Sequence, residues 1–231
     1  MPSWAGRMVA TTRPRPEPVR IPRFARAVRL LHWTNATLFA VLAFTAAVLY
    51  VGPLSVAVGR RELVRQIHVY TGLALPLPFV LAYAGRWRSS VRADVRALNR
   101  WDAADRRWFR TLGRDPLVRL GKFNPGQKLN AAFVAGAIPV MLATGSVMHW
   151  FRYFPVDWRT GATFVHDWIA IALFFLIFGH VVKALTEPDA LRGMVRGWVW
   201  ADWARTHRPR WYEEVRAADA APAAQDAAEA R

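Results

Sequence analysis

The chain has 231 residues, of which 54% are hydrophobic, and it carries a formal net charge of +16 and no cysteine. The missing cysteines exclude disulfides, iron–sulfur ligation and thiolate zinc sites within this chain. Long apolar runs alternate with arginine-rich runs, which is the pattern of a helical membrane protein. Because the arginines flank the apolar runs, membrane topology explains the basic charge better than nucleic-acid binding does.

The chain begins with a basic tail and a first membrane span. Residues 1–29 hold seven arginines among several prolines, which is typical of a flexible cytoplasmic tail. The next 30 residues, Leu30–Gly59, contain no formal charge. About 20 apolar residues suffice to cross a bilayer, so the first span is predicted over residues 30–52. A Gly-Pro pair favours the end of the helix there and leaves the rest of the run as a short loop or interfacial turn.

The second span is predicted over residues 66–85, where Pro76 and Pro78 should bend the helix. A polar connection over residues 86–128 follows, with twelve Lys/Arg and four Asp, and a helix is predicted in it near Arg88–Phe109. The remaining predicted segments are a third span at 129–151, a fourth at 163–184, and a cytoplasmic tail at 187–231 whose Ala-rich end from Ala217 is expected to be disordered.

Charge asymmetry predicts the orientation. With the N-terminus inside, the segments on that side hold 27 Lys/Arg and the two loops on the other side hold 5. For a bacterial inner membrane, the positive-inside rule then places both termini on the cytoplasmic side. The predicted fold class is all-α: an integral membrane four-helix transmembrane bundle over residues 30–186, with cytoplasmic amphipathic segments.

Four histidines fall at two matched depths. His166 and His180 are 14 residues apart in span four, which puts both rings on one helix face and separates them by about 21 Å. His32 lies three residues after an arginine at the inner start of span one, and His68 lies similarly at the outer start of span two. The sequence thus predicts an inner pair, His32 with His180, and an outer pair, His68 with His166.

Two imidazoles from different helices suit the two axial positions of haem iron, whereas zinc would need four ligands. A single histidine near a span end is often an ordinary interfacial or hydrogen-bonded residue, but ionisable groups inside spans are costly and tend to be functional. A small residue follows each of the four by one helical turn, which would leave room for a macrocycle. These residues are Ala36, Gly72, Ala170 and Ala184.

Several neighbouring residues have two interpretations. Asp167 beside His166 is either a hydrogen-bond partner of the ligand or a loop carboxylate. Arg26, Arg29 and Arg65 could neutralise haem propionates or serve only as topology determinants. His149 and His207 are interpreted as ordinary interfacial residues.

The motif Arg-x-x-His-Trp at Arg29–Trp33, the four spans and the four histidines resemble the di-haem b-type cytochromes that anchor oxidoreductases. Two further stretches, Gly-Lys-Phe-Asn-Pro-Gly-Gln-Lys at 121–128 and Arg-Pro-Arg-Trp-Tyr-Glu-Glu at 208–214, resemble the gamma subunit of respiratory formate dehydrogenase. The resemblance covers roughly residues 24–216. The asparagine–glutamine stretch is its most specific part, because hydrogenase cytochromes share much of the histidine pattern.

The resemblance implies an electron-transfer subunit without a formate-oxidising site of its own. Electrons would enter from an iron–sulfur beta subunit, itself bound to a molybdenum- or tungsten-containing alpha subunit, and pass through an outer and an inner haem b to a quinone. Asn124, Gly126 and Gln127, with His180, match the family's quinone pocket. Pro125 stands where the family would have a small residue. Without the resemblance, 121–128 would be interpreted as a turn with a polar cap for span three.

Two alternatives remain open at this stage. One is a di-haem cytochrome b that serves another dehydrogenase, of the hydrogenase or thiosulfate reductase type. The other belongs to a different class, a non-redox membrane metal transporter with a histidine relay. The type of quinone and the oligomeric state are not encoded in any pattern of the sequence.

Overall fold

A computed structural model of the chain describes residues 19–229. Residues 1–18 of the predicted basic tail lie outside the described residues. The described part is largely helical, and the all-α prediction is confirmed. In chain order the elements are β1 (Arg20–Pro22), α1 (Arg26–Tyr50), α2 (Gly52–Val58), α3 (Arg61–Ala74), α4 (Leu77–Ala84), α5 (Arg88–Asn99), α6 (Ala103–Thr111), α7 (Pro125–His149), α8 (Val156–Thr186), α9 (Pro188–Arg196), β2 (Trp198–Trp200), α10 (Ala201–His207) and α11 (Pro209–Glu229).

Four stretches are long and apolar enough to cross a membrane, and each coincides with a predicted span. They are Arg26–Tyr50, Arg61–Ala84, Pro125–His149 and Val156–Thr186. At one end or both, each stretch also includes polar residues that flank its apolar run. Large apolar side chains such as Phe174, Phe175 and Phe178 are exposed to the surroundings of the bundle, as expected for lipid-facing positions.

The second span is interrupted at its prolines, where the sequence predicted a bend. It is divided into α3 and α4 at Leu75 and Pro76, since a proline inside a helix lacks the N–H for the regular hydrogen bond. The structure differs from prediction after the first span, where residues following the Gly-Pro pair form the short helix α2 with Pro53 in its first turn.

Two other predictions were wrong. The single helix predicted near Arg88–Phe109 is two helices, because Asp102 and Asp105 form a reciprocal capping box that starts α6 anew. The Ala-rich end expected to be disordered continues α11 as far as Glu229. Alanine has the highest intrinsic helix propensity, which opposes the disorder inferred from low hydrophobicity.

A layer of short elements covers one end of the bundle, and we call β1, β2, α5, α6 and α9–α11 the cap. Its two strands pair antiparallel, with Ile21 opposite Val199. The sequence analysis did not predict this sheet. Both residues belong to a buried cluster that joins the N-terminal strand to the C-terminal helices. The cluster consists of Ile21, Val199, Trp203, Ala204 and Trp211.

Two buried arginines belong to this cap. Arg23 and Arg208 are each only 4% exposed, and both stack on the ring of Trp203. Burial, followed by repulsion from Arg208, lowers the pKa of Arg23 to about 9. Burial lowers the pKa of Arg208 to about 10. Arg208 and Trp211 thus anchor the stretch at 208–214 in the cap, while Glu213 and Glu214 of the same stretch are exposed.

The membrane part is built from two helical hairpins. Helix α1 packs mainly on α3, and α7 packs mainly on α8, while contact between the hairpins is less extensive. Each hairpin therefore forms a unit from sequence-adjacent spans. The space between the two hairpins is where side chains from α1, α3 and α8 approach one another.

Candidate functional site

The four histidines singled out from the sequence lie in that space, in two layers. His32, near the start of α1, and His180, near the end of α8, have ring centres 6.2 Å apart. His68, in the middle of α3, and His166, in the first half of α8, have ring centres 6.5 Å apart. The structure thus brings together both predicted pairs, each with one imidazole from either hairpin.

These distances fit a metal ion held between two imidazoles. On each side of the metal, a bond of about 2 Å to nitrogen and about 1.1 Å from nitrogen to ring centre add to about 3.1 Å, so the two ring centres would be about 6.2 Å apart. Within residues 19–229, no cluster of three or more His, Asp or Glu side chains could hold a metal ion. Two imidazoles without further ligands suit a planar macrocycle that supplies the other four, such as haem.

The outer pair has hydrogen-bond partners on neighbouring helices. Nδ1 of His68 lies 2.9 Å from Oγ1 of Thr45 on α1. Nδ1 of His166 lies 2.9 Å from Oγ1 of Thr144 on α7. The partner considered from the sequence, Asp167, makes no hydrogen bond to His166 in the described structure. Metal-binding histidines are normally oriented by such a bond to the second ring nitrogen.

The sequence analysis did not single out the two threonines. The sequence contains a pattern that could have indicated them. Each threonine lies inside a predicted span and precedes a histidine of the next span by 22 or 23 residues. Threonine is nevertheless common in transmembrane helices, where its hydroxyl bonds the backbone of its own helix. Sequence spacing alone therefore does not distinguish a ligand-orienting threonine from an ordinary one.

The inner pair is positioned by the Arg-x-x-His-Trp motif. Arg29 donates from Nη1 to the carbonyl of Val195 at 2.7 Å, and Trp33 donates from Nε1 to the carbonyl of Met194 at 3.3 Å. Both carbonyls belong to the last turn of α9, where backbone oxygens have no partner within the helix. Because α9 follows α8 directly, these bonds hold the start of α1, and with it His32, against the end of α8.

A conservative change at Trp33 tests this attachment. Trp33→Phe keeps an aromatic ring but removes the indole N–H, so α1 loses one of its two bonds to α9. We expect a loss of about 0.5–1.5 kcal/mol in stability, with a heterogeneous spectrum for any group bound by His32. Thermal unfolding and low-temperature absorption spectra of the purified protein would measure both. Trp158→Phe, at an exposed position away from the cap, is the control and should change neither.

Residues 121–128 lead into α7 rather than forming an extended loop. Asn124 is the N-cap of α7, and its Oδ1 accepts from the backbone N–H of Gln127 at 2.8 Å. Oε1 of Gln127 accepts in return from the backbone N–H of Asn124 at 3.0 Å. Pro125 occupies the first helical position, where proline is favoured. Gly126 and Gln127 therefore lie in the first turn of the third span, which begins four residues before its predicted start at 129 and has the polar cap that the residues alone indicated.

This capping box leaves donors available. It uses the oxygen atoms of Asn124 and Gln127, whereas the two amide NH2 groups take no part in it. No hydrogen bond in the described part of the chain joins His180 to this turn. A cavity of about 390 Å³ opens nearby between α5, α11 and the turn. Its lining includes Phe123 and Lys128 but none of the four predicted quinone residues.

Other residues considered from the sequence have local partners. Arg65 pairs with Glu62, one turn away on α3. His207 stacks on Trp203 within the cap, and its Nδ1 lies 3.1 Å from the carbonyl of the same residue. His149 lies at the end of α7, at a distance from both pairs in sequence and with no imidazole opposite it. The contacts of Arg65 and His207 explain these two residues without a ligand, whereas Nδ1 of His149 is buried and has no hydrogen-bond partner within residues 19–229.

Comparison with known proteins gives one family and a consistent group of relatives. A family model described as prokaryotic cytochrome b561 matches residues 23–197. The formate dehydrogenase cytochrome b556(fdo) subunit of Escherichia coli K12 is 29% identical over 85% of this chain and 93% of its own length. The formate dehydrogenase cytochrome b556 subunit of Haemophilus influenzae is 28% identical over 84% and 83%. The nitrate-inducible formate dehydrogenase cytochrome b556(Fdn) subunit of E. coli K12 is 24% identical over 83% and 90%.

Proposed function

Because the chain belongs to the prokaryotic cytochrome b561 family, we propose that it is the membrane-anchoring cytochrome b subunit of a formate dehydrogenase, passing electrons to a quinone. The main support for this proposal is that the four histidines form two facing pairs, with ring centres 6.2 and 6.5 Å apart. The names of the relatives supply the identity of the complex, since they are cytochrome subunits of formate dehydrogenase.

In this proposal the chain binds two haem b groups. His68 and His166 provide the axial ligands of an outer haem, and His32 and His180 provide those of an inner haem. Held between two imidazoles, each haem would supply one-electron transfer rather than oxygen chemistry. The role of the four helices is to hold the imidazoles at fixed depth and to exclude water around them.

The proposed partners lie at opposite ends of the bundle. The arginine-rich cap would lie on the cytoplasmic side of a bacterial inner membrane, in accordance with the positive-inside rule. An iron–sulfur beta subunit, which carries electrons from a molybdenum- or tungsten-containing alpha subunit, would dock at the other end near His68 and His166. Electrons entering there and protons taken up at the cap would make turnover electrogenic.

The quinone is proposed to bind at the cap end, between His180 and the first turn of α7. A quinone carbonyl that accepts electrons needs hydrogen-bond donors without fixed charge. The amide NH2 groups of Asn124 and Gln127 and the backbone of Gly126 are such donors. Because capping uses only the amide oxygens, the same two side chains can start the helix and bind a ligand at once.

Gln127→Glu separates these two roles. Glutamate keeps the oxygen that accepts from the N–H of Asn124, and it is favoured in the first turn of a helix. It removes the NH2 donor, so we expect quinone reduction to slow by about tenfold to a hundredfold, by analogy with the loss of a positioned donor. Stopped-flow oxidation of the reduced haems by a quinone analogue would measure this, with both haem spectra unchanged.

Asn99→Asp is a matched control, because Asn99 is an exposed amide on the adjacent helix α5 whose NH2 bonds the carbonyl of Val95. Its quinone kinetics should equal those of the wild type. Unaltered kinetics in Gln127→Glu would remove Gln127 from the pocket. Gln127→Ala, which loses both the cap and the donor, should show the same kinetic defect together with lower stability.

The proposed function as a whole is tested by isolating the intact complex from membranes. We expect a large molybdenum- or tungsten-containing subunit to co-purify, and formate to produce the reduced absorption bands of b-type haem. A nickel-containing partner, or reduction by another donor alone, would assign the chain to another dehydrogenase. A dithionite-reduced sample without b-type bands would eliminate the cytochrome assignment and leave the transporter alternative.

A further inference from the structure

The outer and inner histidine pairs differ in their hydrogen bonds. Nδ1 of His68 and Nδ1 of His166 each lie 2.9 Å from a threonine Oγ1, that of Thr45 and that of Thr144 respectively. Nδ1 of His32 is buried and has no partner within residues 19–229. His32 therefore differs from the two outer histidines at the same ring nitrogen, and the fourth imidazole, that of His180, is exposed and has no threonine partner in the described part of the chain.

The threonine hydroxyls determine which ring nitrogen carries the proton. Thr45 donates its single hydroxyl hydrogen to the carbonyl of Val41, at 2.7 Å. Thr144 donates to the carbonyl of Val140, at 2.8 Å. Each hydroxyl oxygen can then only accept from the imidazole, since a hydroxyl has one hydrogen. The outer histidines therefore carry the proton on Nδ1, and their Nε2 keeps the lone pair that a metal needs.

The same arrangement occurs once in each hairpin. Thr45 on α1 reaches His68 on α3, and Thr144 on α7 reaches His166 on α8. Each hairpin thus orients its own imidazole, and no contact between hairpins is required for it. Gly145 adjoins the second contact, and a β-carbon there would lie 3.4 Å from Cε1 of the His166 ring, which is an ordinary van der Waals distance. The two outer ligands are oriented before a cofactor joins the hairpins.

A hydrogen bond from Nδ1–H to an acceptor makes an imidazole more basic and more electron-rich as a ligand. Such a ligand stabilises the oxidised form of the iron it binds, which lowers the reduction potential. We propose that Thr45 and Thr144 are positioning residues of the outer haem and set its midpoint potential below that of the inner haem. This rests on the haem ligation proposed above. It gives electrons entering at the outer pair a downhill step towards the inner pair.

Valine and serine substitutions at Thr45 and Thr144 distinguish the effect of the hydroxyl group from the effect of side-chain shape. In potentiometric titrations of the intact complex, followed by haem absorption and electron paramagnetic resonance, Thr45→Val with Thr144→Val should raise the outer midpoint potential. We expect the oxidised-to-reduced ratio of the outer haem at a fixed potential to change about tenfold, which is about 59 mV for one electron. The inner potential should not move.

Two comparisons complete the experiment. Thr45→Ser with Thr144→Ser keeps both hydroxyls and should retain the wild-type potential. Thr37→Val is the matched control, because Thr37 is on α1 and bonds only the carbonyl of Trp33. It should leave both potentials unchanged.

The outcomes distinguish this inference from the proposed function. An unchanged or lowered outer potential in the double valine variant, with both haems retained, overturns the role of the threonines and leaves the ligation intact. Loss of the outer haem in the valine variant but not in the serine variant supports the role, whereas loss in both overturns it. If His68→Ala does not lower the haem content of the complex, the proposed ligation fails, and this inference fails with it.

Discussion

Replacing His180 by alanine is expected to remove one of two haem groups and to stop quinone reduction. His180 is the proposed inner ligand contributed by α8, and its ring centre lies 6.2 Å from that of His32. His166, on the same helix, remains 6.5 Å from His68, so the outer site keeps both ligands. The haem content should fall by about half, since one of the two axial pairs is incomplete. Pyridine haemochrome analysis of the purified complex would measure it.

The remaining haem in this variant should still be reduced by formate, because electrons reach the outer pair first. His149→Ala is the matched control: His149 is a span-end histidine without an opposite imidazole, and its loss should leave both haems in place. Equal loss of both haems in a stably inserted His180→Ala variant would contradict the assignment of one haem to each pair. Continued quinone reduction at the wild-type rate would contradict the position of the quinone site.

Replacing Lys128, at the start of α7, by methionine is expected to lower stability more than removing one partner of an exposed ion pair. Nζ of Lys128 lies 2.7 Å from Oδ1 of Asp105, and both side chains are only 3% exposed. The same ammonium group donates to the carbonyl of Arg100 at 2.7 Å. Removing one partner of a buried ion pair leaves an uncompensated charge, which costs about 3–5 kcal/mol. The unfolding temperature in detergent, followed by circular dichroism, should fall accordingly.

Lys183→Met is the control for this stability prediction. Lys183 pairs with Glu187 at 2.8 Å, but its side chain is 68% exposed, and such pairs contribute about 0–1 kcal/mol. Adding Asp105→Asn to Lys128→Met should restore part of the loss, because no buried charge is then left unpaired. Equal unfolding temperatures for Lys128→Met and Lys183→Met would show that the buried pair does not stabilise the cap.

Lys128 also connects the cap to the proposed quinone turn. It immediately follows Gln127 in the first turn of α7, and its bonds to Asp105 and Arg100 attach that turn to the segment around α6. Asp94 on α5 is likewise buried and pairs with Lys122, just before the turn. Burial raises the pKa of Asp94, and the ammonium group of Lys122 opposes this rise. The start of α7 is therefore held by two buried or partly buried ion pairs.

The sequence predicted the spans and the two histidine layers because both depend on regularities within single helices. An apolar run of about 20 residues crosses a bilayer whatever surrounds it, and a spacing of 14 residues fixes two rings on one face through the 3.6-residue period. The depth of His32 and His68 follows from their distance to flanking arginines, which remain in the aqueous layer. These predictions needed no knowledge of how the helices pack.

The cap was largely missed for the complementary reason. The pairing of Arg20–Pro22 with Trp198–Trp200 joins segments almost the whole chain apart, and three residues on each side give no periodic signal. The division between α5 and α6 depends on a capping box rather than on apolar periodicity. The polar cap at Asn124 was among the interpretations drawn from the residues, but the reciprocal bond from Gln127, which makes it a capping box, was not predicted.

The sequence by itself determined that this chain is a four-span membrane protein with histidines at two depths. These properties depend on the hydrophobicity and charge of successive residues and on the period of the helix, all of which can be evaluated one segment at a time. Only the tertiary structure decided that Thr45 and Thr144 bond the outer imidazoles, and that Arg29 and Trp33 attach α1 to the end of α9. Those contacts depend on the rotation and register of one helix against another, which packing fixes and which no spacing within a single helix encodes.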